Sequence, residues 1–194
     1  MLYIYKVTMN PFIAKCAADA QQMHKYLCSL VHTDRVSANL LYKFDMQHGC
    51  LFLQSDIQPD ETSYLQLLYK MDIDSVLSKK GHQDEIHFRL TTDTHMKKTT
   101  NGVTKKVYVP SDKRTTWLVE KLMRNGLEVH AIKEVAMNNI RFVHREDRGG
   151  HASVTTHDFD IYGKISDVEL LRKVWHNGMG EHKAYGNGLF LLCQ

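Results

Sequence analysis

The chain has 194 residues, of which 43% are hydrophobic and 24% charged, with a formal net charge of +3. That balance excludes a disordered polyelectrolyte and allows one domain or two small ones, each with a buried core. The four cysteines form no CxxC pair and match no zinc module, and no apolar run reaches the ~18 residues that cross a bilayer. The N-terminus lacks the apolar core of a signal peptide. The expectation is a soluble cytoplasmic protein with reduced thiols, no membrane contact, no metal and no cofactor.

Leu2 to Met9 alternates bulky and polar residues and predicts a strand ended by Asn10-Pro11. Ala20, Met23, Leu27, Leu30 and Val31 recur at helical steps, so a helix is expected over 14–31. Strands are expected over 36–44 and 50–56, joined as a hairpin through Gln47-His48-Gly49. Pro59-Asp60-Glu61 reads as a helix start, with Tyr64, Leu65, Leu67 and Leu68 as its apolar contacts, and 69–77 reads as a strand. The resulting β-α-β-β-α-β order is ferredoxin-like. A polar break over 79–85 then divides the chain into domains 1–80 and 81–194.

The second half repeats the plan. Ile86 to Thr92 is strand-like, and the polar stretch 93–106 centres on Asn101-Gly102, a hairpin signal. Pro110-Ser111-Asp112 opens a helix bearing Trp117, Leu118, Leu122 and Met123, stopped at Asn125-Gly126. Strands are expected over 127–136, 139–144 and 152–162, with 146–150 as the loop between the last two. Ser166-Asp167-Val168-Glu169 caps a last helix, before a glycine-rich loop and a terminal strand from Leu189 to Leu192. The fold class is α+β, two tandem ferredoxin-like (RRM-like) domains with a projecting basic β-hairpin in the second.

Three features carry chemistry. Lys97, Lys98, Lys105 and Lys106 flank the hairpin turn, with Lys113 and Arg114 beyond it. Such a positive arm suits a polyanion, although a solvated edge would look the same. Gly178, Gly180, Gly186 and Gly188 enclose Lys183. Backbone amides there could approach a phosphate, but the P-loop pattern is missing and a flexible loop fits the spacing as well. Of the twelve histidines, His144, His151 and His157 read as scattered surface residues. His24 sits beside buried positions on the first helix, as an edge histidine or a general acid or base.

Several segments resemble the CasE-type CRISPR repeat endoribonucleases of type I-E (Cascade) systems. Asp19-Ala-Gln-Gln-Met-His-Lys-Tyr-Leu27 is similar to the family's helix with its catalytic histidine. Leu41-Tyr-Lys-Phe44 and Leu51-Phe-Leu-Gln-Ser-Asp56 resemble the following hairpin, and Phe88-Arg-Leu90 the strand opening the second domain. Tyr162-Gly163 with Ile165-Ser-Asp-Val-Glu-Leu170, and the stretch from Gly178 to Leu189, resemble the family's closing strand, helix and glycine motif.

The resemblance implies a metal-independent nuclease acting on a CRISPR repeat stem-loop. Cleavage at the 3′ base of the hairpin by the RNA's own 2′-OH would leave a 2′,3′-cyclic phosphate and a 5′-OH. The mature guide would stay bound and join other Cas subunits in a Cascade-type effector complex. His24 is the implied acid or base, with Lys183 and Gln21 completing the catalytic set. Arg89, Lys97, Lys98, Lys105, Lys106, Lys113, Arg114, Arg141, Gly178, Gly180, Lys183, Gly186 and Gly188 form the RNA-binding set. Gln21 stands where the family often has tyrosine, and Asn187 lies within a Gly-Asn-Gly that the family often writes with cysteine or phenylalanine. The second catalytic group is therefore open among Tyr26, Lys25, Ser29 and Lys183. A subunit that binds the repeat without cutting it is the alternative.

Overall fold

The computed structural model describes residues 1–100, 102–143 and 151–193. Asn101, His144 and the expected loop 146–150 lie outside the described residues. The chain folds into two antiparallel four-stranded sheets and a separate two-stranded hairpin. The first sheet contains β1 (Leu2–Val7), β2 (Leu41–Asp45), β3 (Cys50–Gln54) and β4 (Leu65–Met71), in the order β2-β3-β1-β4. The second contains β5 (Glu85–Thr92), β8 (Leu127–Val143), β9 (His151–Ile165) and β10 (Phe190–Leu192), in the order β10-β5-β9-β8. Each sheet thus places its first strand beside its fourth and third, the ferredoxin-like arrangement in tandem. The hairpin is β6 (His95–Thr100) with β7 (Val103–Tyr108). Among the described residues, no helix is long and apolar enough to cross a membrane.

The first half departs from its expected elements. The single helix over 14–31 is two: α1 (Pro11–Ala18), capped by the Asn10 side chain, and α2 (Ala20–Leu30), capped by Asp19. Asp19 takes extended backbone angles and accepts from the Gln21 amide, so a local cap interrupts the apolar period. The strand predicted to begin at Val36 begins at Leu41, because Asp34 accepts from the Val36 and Ser37 amides and holds a turn.

The helix expected after Pro59 is absent. Residues 65–71 instead pair with β1 as β4, while the Asp60 amide donates to the last carbonyl of α2, on Leu30. The strand expected over 69–77 ends at Met71. Asp72 caps α3 (Ile73–Ser78), accepting from the amides of Asp74 and Ser75.

The second half follows its expected order. A 3₁₀ turn (Ser111–Lys113) leads into α4 (Arg114–Met123), and α5 (Val168–Asn177) is capped by Asp167. The two strands expected over 127–144 are one long strand, β8, with register shifts between Val129 and Ala131 and between Glu134 and Ala136. Bulges bend a strand without ending it.

Two cores result. One holds Tyr3, Tyr5, Ile13, Met23, Leu27 and Leu53 beneath α1 and α2. The other holds Phe88, Leu118, Phe159, Ile161 and Trp175 between α4, α5 and the second sheet. Leu2, Leu41, Ile73 and Leu77, all from the first 80 residues, belong to that second core. The link continues at the surface of α5, where the His176 carbonyl accepts from both Asn39 and Gln54 side-chain amides. This gives Gln54 of the Leu-Gln-Ser segment a structural task, that of satisfying a helix C-terminal carbonyl.

Candidate functional site

α2, the helix that bears His24, packs against the glycine-rich tail. The helix lies against a 3₁₀ turn formed by Lys183–Tyr185, so the two segments singled out in the sequence meet although they are far apart in the chain. His24 is half-buried, with Cys28 Sγ 3.8 Å from its Nδ1 one helical turn later. Burial lowers the imidazole pKa, and the Arg35 guanidinium lowers it further. Burial likewise lowers the Lys183 pKa, followed by the charges of Arg35 and Lys121. Arg35 therefore acts on both groups. It sits on the turn ahead of β2, where no periodicity marks it, and the sequence reading missed it.

Lys183 donates from Nζ to the Asn177 carbonyl at 2.8 Å. Gln21 precedes His24 by three positions on α2 and is partly exposed. Two of the alternatives for the second catalytic group lie elsewhere. Tyr26 reaches towards Thr62 Oγ1 at 3.4 Å and packs edge-on against Phe12, and Ser29 Oγ donates to its own helix at the Tyr26 carbonyl. Lys25 is exposed. Below the tail, Tyr42 is buried with its hydroxyl donating to the Ala20 carbonyl at 3.3 Å, and burial raises its pKa far above the ordinary phenol value.

The glycines serve packing. Gly180 has φ +96, and a Cβ there would collide with Thr92 Oγ1. Gly188 has φ +86, and a Cβ would lie 2.8 Å from the Met179 carbonyl oxygen. The amides of Met179, Glu181 and Gly188 donate to Gly188 O, Asp93 Oδ1 and Thr91 O, so they are not offered to a phosphate. Asn187 is fully buried and donates to the Glu181 carbonyl, which braces the loop from inside.

Asp93 joins this loop to the base of the hairpin. Its Oδ1 accepts from the Glu181 amide at 2.9 Å, and its Oδ2 faces Nδ1 of His182 at 3.0 Å and of His95 at 3.1 Å. Burial would raise its pKa, but these contacts outweigh burial and hold it below the ordinary value. His182 adopts a left-handed φ of 54° immediately before Lys183. Lys106 of β7 forms an ion pair with Glu181, a second tie between hairpin and loop.

The hairpin presents its lysines as expected, and their register adds something. Lys97 faces Lys106, and Lys98 faces Lys105. Lys97, Lys98, Lys105, Lys106 and Lys113 are exposed. Arg114 is not a free cation. Its Nη1 holds Glu134 at 2.6 and 2.8 Å and approaches His157 Nδ1 at 3.0 Å. His157 is 2% exposed and bonds to Glu134 as well, which corrects its reading as a surface histidine. The α4 position of Arg114 turns its side chain towards β8 and β9, where the partly buried Glu134 carboxylate and the buried His157 imidazole claim it.

Arg89 and Arg141 lie elsewhere again, in a cleft of about 840 Å³ between the two sheets. The Lys43 ammonium crosses this cleft to Asp158 at 2.6 Å and donates to Thr91 Oγ1 at 2.8 Å. Tyr185 and Gly186 line the cleft, so it adjoins the glycine tail.

The family described as CRISPR associated protein matches residues 2–193. No curated protein matches the chain. Among solved structures, the CRISPR endoribonuclease Cse3 bound to a 19-nt RNA superposes with a TM-score of 0.83 at 17% identity, covering 100% of this chain and 99% of that one. Cas6e from Escherichia coli str. K-12 gives 0.70 at 20% identity, covering 99% and 98%. A chain of a CRISPR RNA-guided surveillance complex gives 0.63 at 21% identity, again covering 99% and 98%. The tandem fold is therefore that of Cse3 and Cas6e over its whole length, and the chain belongs to the CRISPR associated protein family.

Proposed function

We propose that the protein is a metal-independent endoribonuclease that binds the stem-loop of a CRISPR repeat, cuts at its 3′ base and keeps the product for a Cascade-type complex. The observation that carries this reading is the meeting of α2, with His24, and the Lys183 turn, both within the field of Arg35. The named activity of Cse3, its binding to RNA, and the presence of a similar chain in an RNA-guided surveillance complex support it.

Burial and Arg35 favour a neutral imidazole, so His24 acts as the base that removes the 2′-OH proton. The 2′-oxygen attacks the adjacent phosphorus and expels the 5′-oxygen, which takes a proton from water. The cations Lys183 and Arg35 stabilise the charge that builds on the phosphate. Lys183 must leave the Asn177 carbonyl to do so. The products are a 2′,3′-cyclic phosphate and a 5′-OH. RNA helices are read mainly through shape and backbone, which suits an arm of lysines on β6 and β7. Residues 1–80 supply the histidine and 81–194 the arm and the tail.

The occupied Lys183 ammonium favours a second reading, a subunit that holds the repeat and does not cut it. One assay separates the two. Repeat RNA is incubated with excess protein in EDTA, alongside His24→Ala. Cutting by the parent protein and intact, bound RNA with the variant support the nuclease. Binding without cutting by both supports the second reading, and activity that needs a divalent ion overturns the mechanism.

A further inference from the structure

We propose that His87, Asp160 and Cys193 form a binding site for a divalent, borderline-soft metal ion of the zinc class, separate from the cleavage chemistry. The three residues come from adjacent strands. The Cys193 amide donates to the His87 carbonyl at 2.9 Å, which sets Cys193 beside His87 just past the end of β10. Tyr162 faces His87 across the β5–β9 ladder, and Asp160 lies two residues earlier, on the same face of the sheet.

The side chains converge. His87 Nε2 is 2.8 Å from Asp160 Oδ1, and one donor atom from each of the three residues lies within 4.8 Å of the others. Tetrahedral zinc, with bonds of ~2.0–2.3 Å, spaces its ligand atoms by roughly 3.2–3.7 Å, so small torsional changes would close the set. The Tyr162 ring stacks on the imidazole at 3.7 Å between centroids and 14° between planes, which fixes the plane of His87. The side chains of His87 and Asp160 are 23% and 26% exposed, so an ion could enter from solvent and keep water as a further ligand.

The donor set fits the charge. A thiolate, a carboxylate and a neutral imidazole together balance a dication. Without the ion, Cys193 Sγ lies 3.7 Å from the Leu191 carbonyl. Metal binding would displace the Cys193 thiol proton to solvent, and the His87 ring nitrogen that does not ligate would keep its N–H. The mixed sulfur, nitrogen and oxygen set suits zinc better than magnesium or calcium.

A second convergent group, Asp93 with Glu181 and His182, is a poorer candidate. Lys106 is paired with Glu181, and the Lys121 ammonium feels both carboxylates, so cations already occupy the neighbourhood.

The test uses the full chain, stripped with chelator and titrated with cobalt(II) and then zinc(II). Cobalt should produce a near-ultraviolet thiolate charge-transfer band, and zinc should remove it. Cys193→Ser should abolish the band, and His87→Gln or Asp160→Asn should weaken zinc binding at least tenfold. Cys28→Ser, at the other thiol–imidazole contact, should leave the band intact. Zinc should raise the Tm of the parent protein and leave that of Cys193→Ser unchanged, with the two metal-free Tm values alike. No band, a band that survives Cys193→Ser, or a band lost in Cys28→Ser would overturn the site.

Discussion

Lys98 stands directly opposite Lys105 on the β6–β7 ladder. Like charges at facing positions weaken a hairpin by roughly 0.2–1 kcal/mol. A strand pair kept for structure alone would place an acid or threonine there, as the neighbouring Thr99–Thr104 contact at 2.8 Å does. The repulsion is relieved when a polyanion lies along the arm. Replacing Lys98 with Thr should therefore raise the thermal midpoint slightly while weakening RNA binding, a split read by calorimetry and filter binding on one sample. Replacing Lys97, Lys98 and Lys105 together should flatten the salt dependence of binding, by a slope of roughly 0.7–0.9 for each phosphate that is no longer neutralised. An unchanged slope would remove the hairpin from the interface.

His24→Ala should abolish single-turnover cutting, with the affinity for the stem-loop changed by less than about threefold, since an imidazole acting only on the reacting atoms adds little to binding.

The pH profile of the same step follows from two lowered pKa values. His24 must be neutral to act as base, so the rate rises with pH through its pKa, which burial and Arg35 hold below 6.5. Lys183 must be charged to stabilise the phosphate, so the rate falls as pH passes its own pKa, held below 10.5 by burial and by Arg35 and Lys121. Arg35→Gln should move both limbs towards higher pH. A profile that ignores this substitution would separate Arg35 from the site.

Asp93→Asn should reduce stability by about 1–3 kcal/mol, the usual cost of breaking a buried charge-assisted network. The sign with pH is fixed by the lowered carboxyl pKa. The carboxylate's stabilisation is present above its unfolded value of about 3.9 and is lost as pH falls through the folded value. The difference between parent and variant, measured by denaturant unfolding, should therefore shrink in acid. At neutral pH the variant should bind RNA and cut it more slowly, because His182 no longer fixes the turn that carries Lys183.

The sequence was most legible where a local signal and the tertiary structure agreed. Asn125-Gly126 ends α4, Gly126 takes φ +85, and α5 is capped within the Ser166–Glu169 stretch, by Asp167 and not by the Ser166 of a capping box. It misled where a local signal met a stronger partner. Pro59-Asp60-Glu61 reads as a helix start, yet the Leu-rich stretch behind it is claimed by the free edge of β1. Leu67, Leu68 and Tyr69 remain exposed as a result, 37%, 53% and 50%, so their apolar character never reported a buried helix face. In the site, His24 and Lys183 were visible as residue types in marked stretches. Arg35 was not, because it belongs to an unremarkable turn, and the inward pairing of Arg114 was not, because Glu134 and His157 reach it only through the bulged path of β8 and its partner β9.

The helix α3 places Ile73 and Leu77 in the core of the other half, and Leu2 and Leu41 accompany them. Expressed alone, residues 1–80 would carry a greasy strap with nothing to close on, and residues 81–194 would carry the socket for it. The two pieces produced from separate messages should find one another, co-purify and regain cutting as a split enzyme. Ile73→Asp with Leu77→Asp should abolish that reassembly while leaving the linked chain tethered, so the strap, more than the peptide bond at Gly81, holds α2 against the tail.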